Sequence, residues 1–349
     1  MAEHQHVHIE ISATSVLKVL LMVLFFVLLY LLKDILIILL FAIIIASAIA
    51  PVANLLESKG LPRLLAVLLL YLVIFGVVLL AVSLVVPFIS QDLVQLTTVF
   101  PEIVRRVSTS LDTVQQGAPR YFDFVSEIQN LLDVLSNYLQ QFSQSAFNLV
   151  IGIFGGIFSF VAIIVISFYL SVMKRGIESF LSSVVPARFE GYAIDLWQRS
   201  EVKVGRWLQG QLLLALVVGL VVYIGLSLMK MKFALIFGLL SMVLEIVPVA
   251  GPVLAAIPAI ILGFVQSPTL GLWVFVFYTA VQQLENHLLV PLVLGRTTGL
   301  NPVVVILALL IGGRLAGIPG AILAVPIATV LVEILEDLAK HKEFKRTSA

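Results

Sequence analysis

Apolar residues run through this chain in blocks far longer than the stripe of an amphipathic helix, and short polar interruptions mark where each block ends. A membrane span needs roughly 20 predominantly apolar residues. Val16–Leu32 and Ile35–Ala50 form two such blocks, parted by Lys33-Asp34. A turn over Pro51–Pro62 follows, with Glu57, Lys59 and Gly60, and Leu64–Val86 makes a third block ending at Pro87. From Phe88 to Ala146 the pattern changes. Charges return, while Ile128, Leu131, Leu132, Leu135, Tyr138 and Leu139 keep a helical spacing, which predicts amphipathic helices outside the bilayer. Phe147–Met173 is a fourth span, Lys174–Gln209 a second polar section, and Gln211–Met229 a fifth span closed by a turn at Lys230 and Lys232.

The C-terminal half breaks this pattern. Phe233–Val247 reaches about 22 Å as a helix, short of a core about 30 Å thick. It runs into Pro248, Gly251 and Pro252, and the apolar stretch after them, with Pro258 inside it, is no longer. The same occurs at Pro302–Gly313, with Gly312 and Gly313 leading into a break at Arg314–Gly317 and a longer arm from Ile318 to about Glu336. The breaks also match in letters: "GPVLAAIP" (Gly251–Pro258) aligns with "PGAILAVP" (Pro319–Pro326), a weak internal repeat carrying Gly320 as well. Each segment fits a broken or re-entrant helical hairpin better than one straight crossing. Irregular backbone at that depth survives only where protein or a wet cavity satisfies it.

Composition narrows the class. Of 349 residues, 61% are hydrophobic and only 12% charged, an apolar excess that no soluble domain of this size buries. The fold class expected is an all-α polytopic membrane protein of about eight membrane segments, with lipid as its first partner. Four units are expected: 1–87 with a tail and three spans, 88–146 outside, 147–209 with the fourth span and a basic section, and 210–349 as the transport core. Net charge is +1, which gives no electrostatic case for a nucleic-acid partner. Absence of cysteine removes thiol catalysis, disulfides and thiolate metal sites. No basic n-region with a cleavage pattern precedes the first block, so it is expected to be retained. Basic residues set the sidedness. Lys174–Gln209 holds six of them and the tail adds Lys340, Lys342, Lys345 and Arg346, which places both sections, and both termini, in the cytoplasm. Phe88–Ala146 holds three basic against six acidic residues and goes outside. If neither broken segment crosses, Arg296 also falls inside and the hairpins enter from opposite faces, as in inverted-repeat transporters.

Candidate chemistry lies at the breaks. Glu245 precedes the first and Arg314 opens the second, while "QQLENHLLVP" places Gln282, Glu285 and Asn286 at a spacing that shares a helical face. Ionisable residues in membrane segments mark a pathway or a pair. One reading has Glu245, Gln282, Glu285, Asn286 and Arg314 line a polar cavity, with a glutamate carrying a proton. A second has a glutamate neutralise Arg314 as a clamp, and a third puts Glu285 at the interface. "HQHVH" (His4–His8) lacks the supporting ligands of a metal site and reads as a terminus. No phosphate-binding loop and no Ser-His-Asp grouping occurs, so neither an enzyme nor a cofactor is expected. Asp195–Leu208 reads as a surface helix on the inner leaflet, with a core helix as the alternative, and Trp197, Trp207 and Trp273 read as interface anchors.

The runs "EIVPVAGPVLAAIP" and "QQLENHLLVPLVLGRTTGLNPVVVILALLIGGRLAGIPGAILAVP" closely resemble the autoinducer-2 exporter family of bacterial permeases. The matching positions are Glu245, Pro248, Gly251, Pro252, Gln282, Glu285, Asn286, Pro291, Gly295, Pro302, Gly312, Gly313, Gly317, Gly320 and Pro326. The resemblance implies a multi-pass secondary transporter of the bacterial inner membrane, assembled as a homo-oligomer. Its substrate would be a small quorum-sensing signal, or alternatively a sodium or lithium ion exchanged for a proton. An oligomeric channel or membrane scaffold is the reading from another class.

Overall fold

A computed structural model of the chain describes residues 13–80, 83, 156–293 and 299–347. All regular structure among them is helical, which gives the all-α polytopic membrane architecture that the apolar blocks predict. The expected outer section 88–146, the histidine run and Gly295 lie outside the described residues. Helices α1 (Ala13–Leu31) and α2 (Lys33–Ser58) come first. They are followed by α3 (Arg63–Leu80), α4 (Ile157–Val172) and α5 (Gly176–Val184). The 42-residue α6 (Ala187–Leu228) leads to α7 (Ala234–Leu244) and α8 (Ala250–Gln266). Next are α9 (Pro268–Leu284), a π turn at Glu285–Leu289, α10 (Val290–Val293) and α11 (Pro302–Thr347). Four of the described helices are long and apolar enough to cross a membrane, or five if the bent pair α4 and α5 is one span.

Three expectations need correction. Lys33-Asp34 does not separate two spans. Leu32 N–H donates to Leu28 O and Leu36 N–H to Leu32 O, and α1 and α2 barely touch, so the chain does not fold back there. Two adjacent charges with no Gly or Pro leave the helical hydrogen bonds intact. Asp195–Leu208 is not a surface helix either. It is the lower part of α6, with Ser200, Val204 and Trp207 buried, and α5 is the element that turns away, at 87° to α4. Trp207, 2% exposed, packs with Phe41, Ile44 and Ile163 in the core instead of anchoring at an interface.

Helix α6 organises the rest. Its upper half packs α7, α8 and α9 through Val218, Val222, Phe237, Leu262 and Val274. Its lower half packs α2, α4 and α11 through Val204, Trp207, Phe41, Ile163 and Leu323. A third cluster joins α2, α3 and α4, where Tyr71 donates to Ser167 Oγ at 2.7 Å.

Both broken segments are helical hairpins. Lys232 N–H at the start of the first reaches the Gln266 side chain at its end, 3.4 Å away, so α7 and α8 run antiparallel. In the second, the helix is interrupted at Ala316 and Gly317, where φ of +61° and ψ of −140° at Gly317 exclude other residues. Residues eight apart in a straight helix are separated by about 12 Å. Here a Cβ on Gly312 would strike the carbonyl of Gly320, and a Cβ on Gly320 that of Gly312, so the arms 302–315 and 318–347 double back on each other. The repeated motif marks the same place in each hairpin: Gly251 and Pro252 open the return arm of the first, Pro319 and Gly320 that of the second. Pro258 and Pro326 lie buried one or two turns further on.

The hairpins open toward opposite ends of α6. The first begins just past its C-terminal end, where Met231 N–H bonds Leu226 O. The second ends beside the N-terminal part, where Arg199 bridges Glu333 at 2.5 Å and Asp337 at 2.7 Å and Lys203 also bonds Glu333. The two basic sections expected on one side are thus in contact. Replacing Gly312 with valine should destabilise the protein by roughly 1–3 kcal/mol, the cost of overpacking a tight seam. The midpoint of thermal unfolding in detergent reads this, and an unchanged midpoint would mean that the arms separate freely.

Candidate functional site

The first hairpin reverses at Pro248–Ala250, and the buried Glu245 just before the turn marks the site. Helix α7 ends at Leu244 because Pro248 lacks an N–H to continue the ladder. The chain closes through Val247 N–H to Leu244 O and through Ala250 N–H to Pro248 O at 2.7 Å. The latter bond spans a single residue, Val249, at φ +65° and ψ −51°. This is the rare, strained hand of the γ-turn, in a β-branched residue. Gly251 follows because any side chain there would collide with the carbonyl of Leu244. Gln211 of α6, 1% exposed, donates from Nε2 to the main-chain oxygen of Glu245 at 2.5 Å.

Two carboxyl groups meet at this tip. Glu245 is fully buried and Glu285 is 4% exposed, and the two carboxyls are close neighbours. Neither has a described basic side chain beside it. Both oxygens of Glu245, Oε2 of Glu285 and Oε1 of Gln211 are buried without a hydrogen-bond partner. One to two turns toward the other end of the seam, Ser241 Oγ and Tyr278 Oη lie 3.4 Å apart. The polar residues of α7 and α9 therefore form a column, Ser241 with Tyr278 and then Glu245 with Glu285.

Glu285 continues the buried face of α9, in line with Val274, Tyr278 and Val281, and a π turn begins at it. Pro291 cannot donate to the carbonyl of His287, and the register slips so that Val290 N–H bonds Glu285 O, five residues back. Burial divides the residues that the sequence places on one face. Glu285 turns inward and is buried, whereas Asn286 is exposed and touches Gln282 at 3.5 Å. Arg314 is not brought to either glutamate. It is exposed near the tip of the second hairpin and has no ion pair among the described residues, so the expected clamp does not form. Gly313 and Gly317 beside it face open space. Pro248, Gly251 and Pro252 are at the tip as the letters suggested, while Gly312, Pro319 and Gly320 shape the other hairpin.

Gln211 is the residue that the sequence reading passed over, as the edge of a span. The available signal was an amide at the start of an uninterrupted apolar run, after the small residue Gly210. Among the described residues no group of three His, Cys, Asp or Glu gathers to hold a metal ion. A second polar region lies at the lower end, a cavity of about 310 Å³ lined by Asn54, Arg63, Lys174, Arg175, Gln198 and Glu201 among others. Arg63 is held there by Asn54 at 2.8 Å and Glu57 at 3.2 Å.

Residues 19–340 match the family model described as AI-2E family transporter. YueF of Bacillus subtilis, a proposed transport protein, is 29% identical over 308 residues, covering 85% of this chain and 82% of YueF. YrrI of the same organism, also a proposed transport protein, is 30% identical over 287 residues, covering 81% and 80%. TqsA of Escherichia coli, named as an AI-2 transport protein, is 26% identical over 307 residues, covering 84% and 83%.

The buried carboxyl pair sets a stability prediction. Glu285→Gln places an amide donor opposite Glu245 and removes like-charge repulsion. It should stabilise the fold by about 1 kcal/mol, the worth of one hydrogen bond. A lower melting midpoint for this variant in detergent would show that the pair is held by something other than its two carboxyls.

Proposed function

Since the chain belongs to the AI-2E transporter family, we propose that it is an ion-gradient-coupled exporter of a small signalling molecule such as autoinducer-2, with Glu245 and Glu285 as the coupling pair. It is a membrane transport protein, and its finer mechanism is inferred as follows. The carrying observation is the two neighbouring carboxyls buried with no described cation between them. Two bare charges at that depth repel and lack solvent, so one proton shared between them is the simplest neutralising partner. Loading and unloading that proton from opposite sides would tie an ion gradient to the state of the hairpin tip. The groups facing the pair are Gln211 from α6 and, along the column, Ser241 of α7 and Tyr278 of α9.

Alternating access would follow from the two hairpins acting as opposed gates along α6. In this reading they are re-entrant, the basic sections and the C-terminus face the cytoplasm of a bacterial inner membrane, and the protein works as a homo-oligomer. A sodium or lithium antiporter uses the same pair with the alkali ion as cargo, and the all-acceptor character of the tip favours it as the second reading. A passive oligomeric channel or scaffold would leave the pair without work to do.

Flux in proteoliposomes tests the proposal. Autoinducer-2 transport should saturate and follow an imposed proton gradient, and Glu245→Gln and Glu285→Gln should each lower it to the level of empty vesicles. Wild-type flux that ignores the gradient, or unchanged flux in both variants at every pH, overturns it.

A further inference from the structure

The cavity at the lower end plays no part in the coupling scheme, and it is built from both signs of charge. It measures about 310 Å³ and is lined by Arg63, Lys174, Arg175, Glu178 and Glu201 among others. Some of these groups are already satisfied. Arg63 donates to Ser171 O, to Asn54 and to Glu57. Glu178 accepts from Gln198 Nε2 at 2.7 Å. Others are not. Arg175 approaches Glu178 at 3.9 Å, beyond hydrogen-bonding distance, and its side chain is 84% exposed. Lys174 is bonded to Glu57 at 3.1 Å, which occupies one of the three donors of its ammonium. Glu201, half-buried on α6, has neither a hydrogen bond nor an ion pair among the described residues. The cavity thus offers spare cationic donors in Arg175 and Lys174 and a spare carboxylate in Glu201.

The place fits a membrane surface. Helix α2 ends here and α3 begins here, joined by the polar turn at Lys59 and Gly60. Helix α4 ends here too, and α5 leaves it at 87°. With α4 along the bilayer normal, α5 lies in the plane of the headgroups. It is amphipathic: Ile177 and Leu181 are half-buried against the body, while Phe180 and Val184, one turn apart, are exposed. Exposed apolar side chains beside clustered charge suit the boundary between acyl chains and headgroups, where charged pockets bind lipid headgroups. We propose that this cavity binds the headgroup of one zwitterionic phospholipid bearing a primary amine, of the phosphoethanolamine type. The phosphodiester lies against Arg175 and Lys174, and the ammonium against Glu201. The volume, at the lower end of the roughly 300–1,000 Å³ of small-molecule sites, suits a headgroup of this size. An anionic lipid without an amine brings further negative charge to Glu201 and leaves it unpaired. A choline headgroup has the positive charge but no N–H, so it cannot donate to that carboxylate. A bound lipid would brace the elbow between α4 and α5.

Thermal unfolding of the purified full chain tests this, in one detergent supplemented with dioleoyl phosphatidylethanolamine, phosphatidylglycerol or phosphatidylcholine at equal mole fractions. The ethanolamine lipid should raise the midpoint in a saturable way and above the other two. Glu201→Gln should raise the mole fraction of that lipid needed for half the effect by about tenfold, the loss expected for one charge-assisted contact, and leave the response to the choline lipid unchanged. Arg175→Gln, at an exposed position, should weaken the response to all three lipids. Equal midpoints in the three lipids overturn the site. A larger shift with phosphatidylglycerol also overturns it, since such a site ignores Glu201. Free O-phosphoethanolamine at the same concentration separates a soluble zwitterion from a lipid: no shift is expected, and one as large as the lipid's overturns the lipid assignment. A Glu201→Gln protein that folds and keeps the wild-type preference for the ethanolamine lipid counts against the site. Should that variant not fold, Arg175→Gln decides, and an undiminished response to the ethanolamine lipid overturns the proposal.

Discussion

Everything distinctive in this protein depends on how it ends a helix and turns back beside buried, apolar surroundings. A buried carbonyl left without a partner costs free energy, so such a reversal must bring its own partners. The first hairpin does so with three devices within a few residues. Two short-range bonds close the turn through Val247 and Ala250, at the expense of a strained Val249. A buried amide from another helix, Gln211, caps the carbonyl of Glu245. Gly251 then lets the return arm start flush against the end it has just left. Removing any one leaves a polar group in an apolar surround or a side chain in occupied space.

The reversals were legible in the sequence because they need particular residues. Pro248 with Gly251 and Pro252, and Gly317 with Pro319, are the types that stop a helix or adopt a positive φ, and both reversals are at those letters. Lys33-Asp34 was misread by the opposite error, since charge alone carries no backbone consequence. The carboxyl pair was only half legible. Glu245 and Glu285 each stand out in an apolar run, and helical spacing puts Glu285 on the buried face with Val274, Tyr278 and Val281, but their meeting depends on how α7, α8 and α9 fold back on one another, which no local pattern states. Arg314 stands away from the glutamates because charge at a break says nothing of which break lies beside which. The two breaks occupy equivalent positions in two separate hairpins.

The two hairpins differ in what binds them to α6. The first is held by close approach of small residues: a Cβ on Gly219 would strike Met242 and the Gly238 carbonyl, and a Cβ on Gly238 would strike Tyr223. Between helices in lipid, where burial of apolar surface gains nothing, such contact is the main source of adhesion. The second is held at its lower end by charge, through Arg199 and Lys203 with Glu333 and Asp337, and by Leu323 and Val325 in the core. Its first arm is different again. Val303, Leu307, Leu310, Ile311 and Leu315 are all exposed, and its seam with the return arm is a glycine-to-glycine contact.

These attachments divide the labour. A hairpin stitched to α6 along its length, carrying a strained turn and a buried carboxyl pair, is a fixed site whose chemistry changes with what it binds. The second hairpin is anchored at one end by partly buried ion pairs around the buried Glu333, and its first arm has little protein packing. Gln211 stands between Arg199 and Lys203 on one side and the Gly219 seam on the other, all on one continuous helix. Its bond to the Glu245 main chain ties the first hairpin's tip to the helix that both hairpins contact.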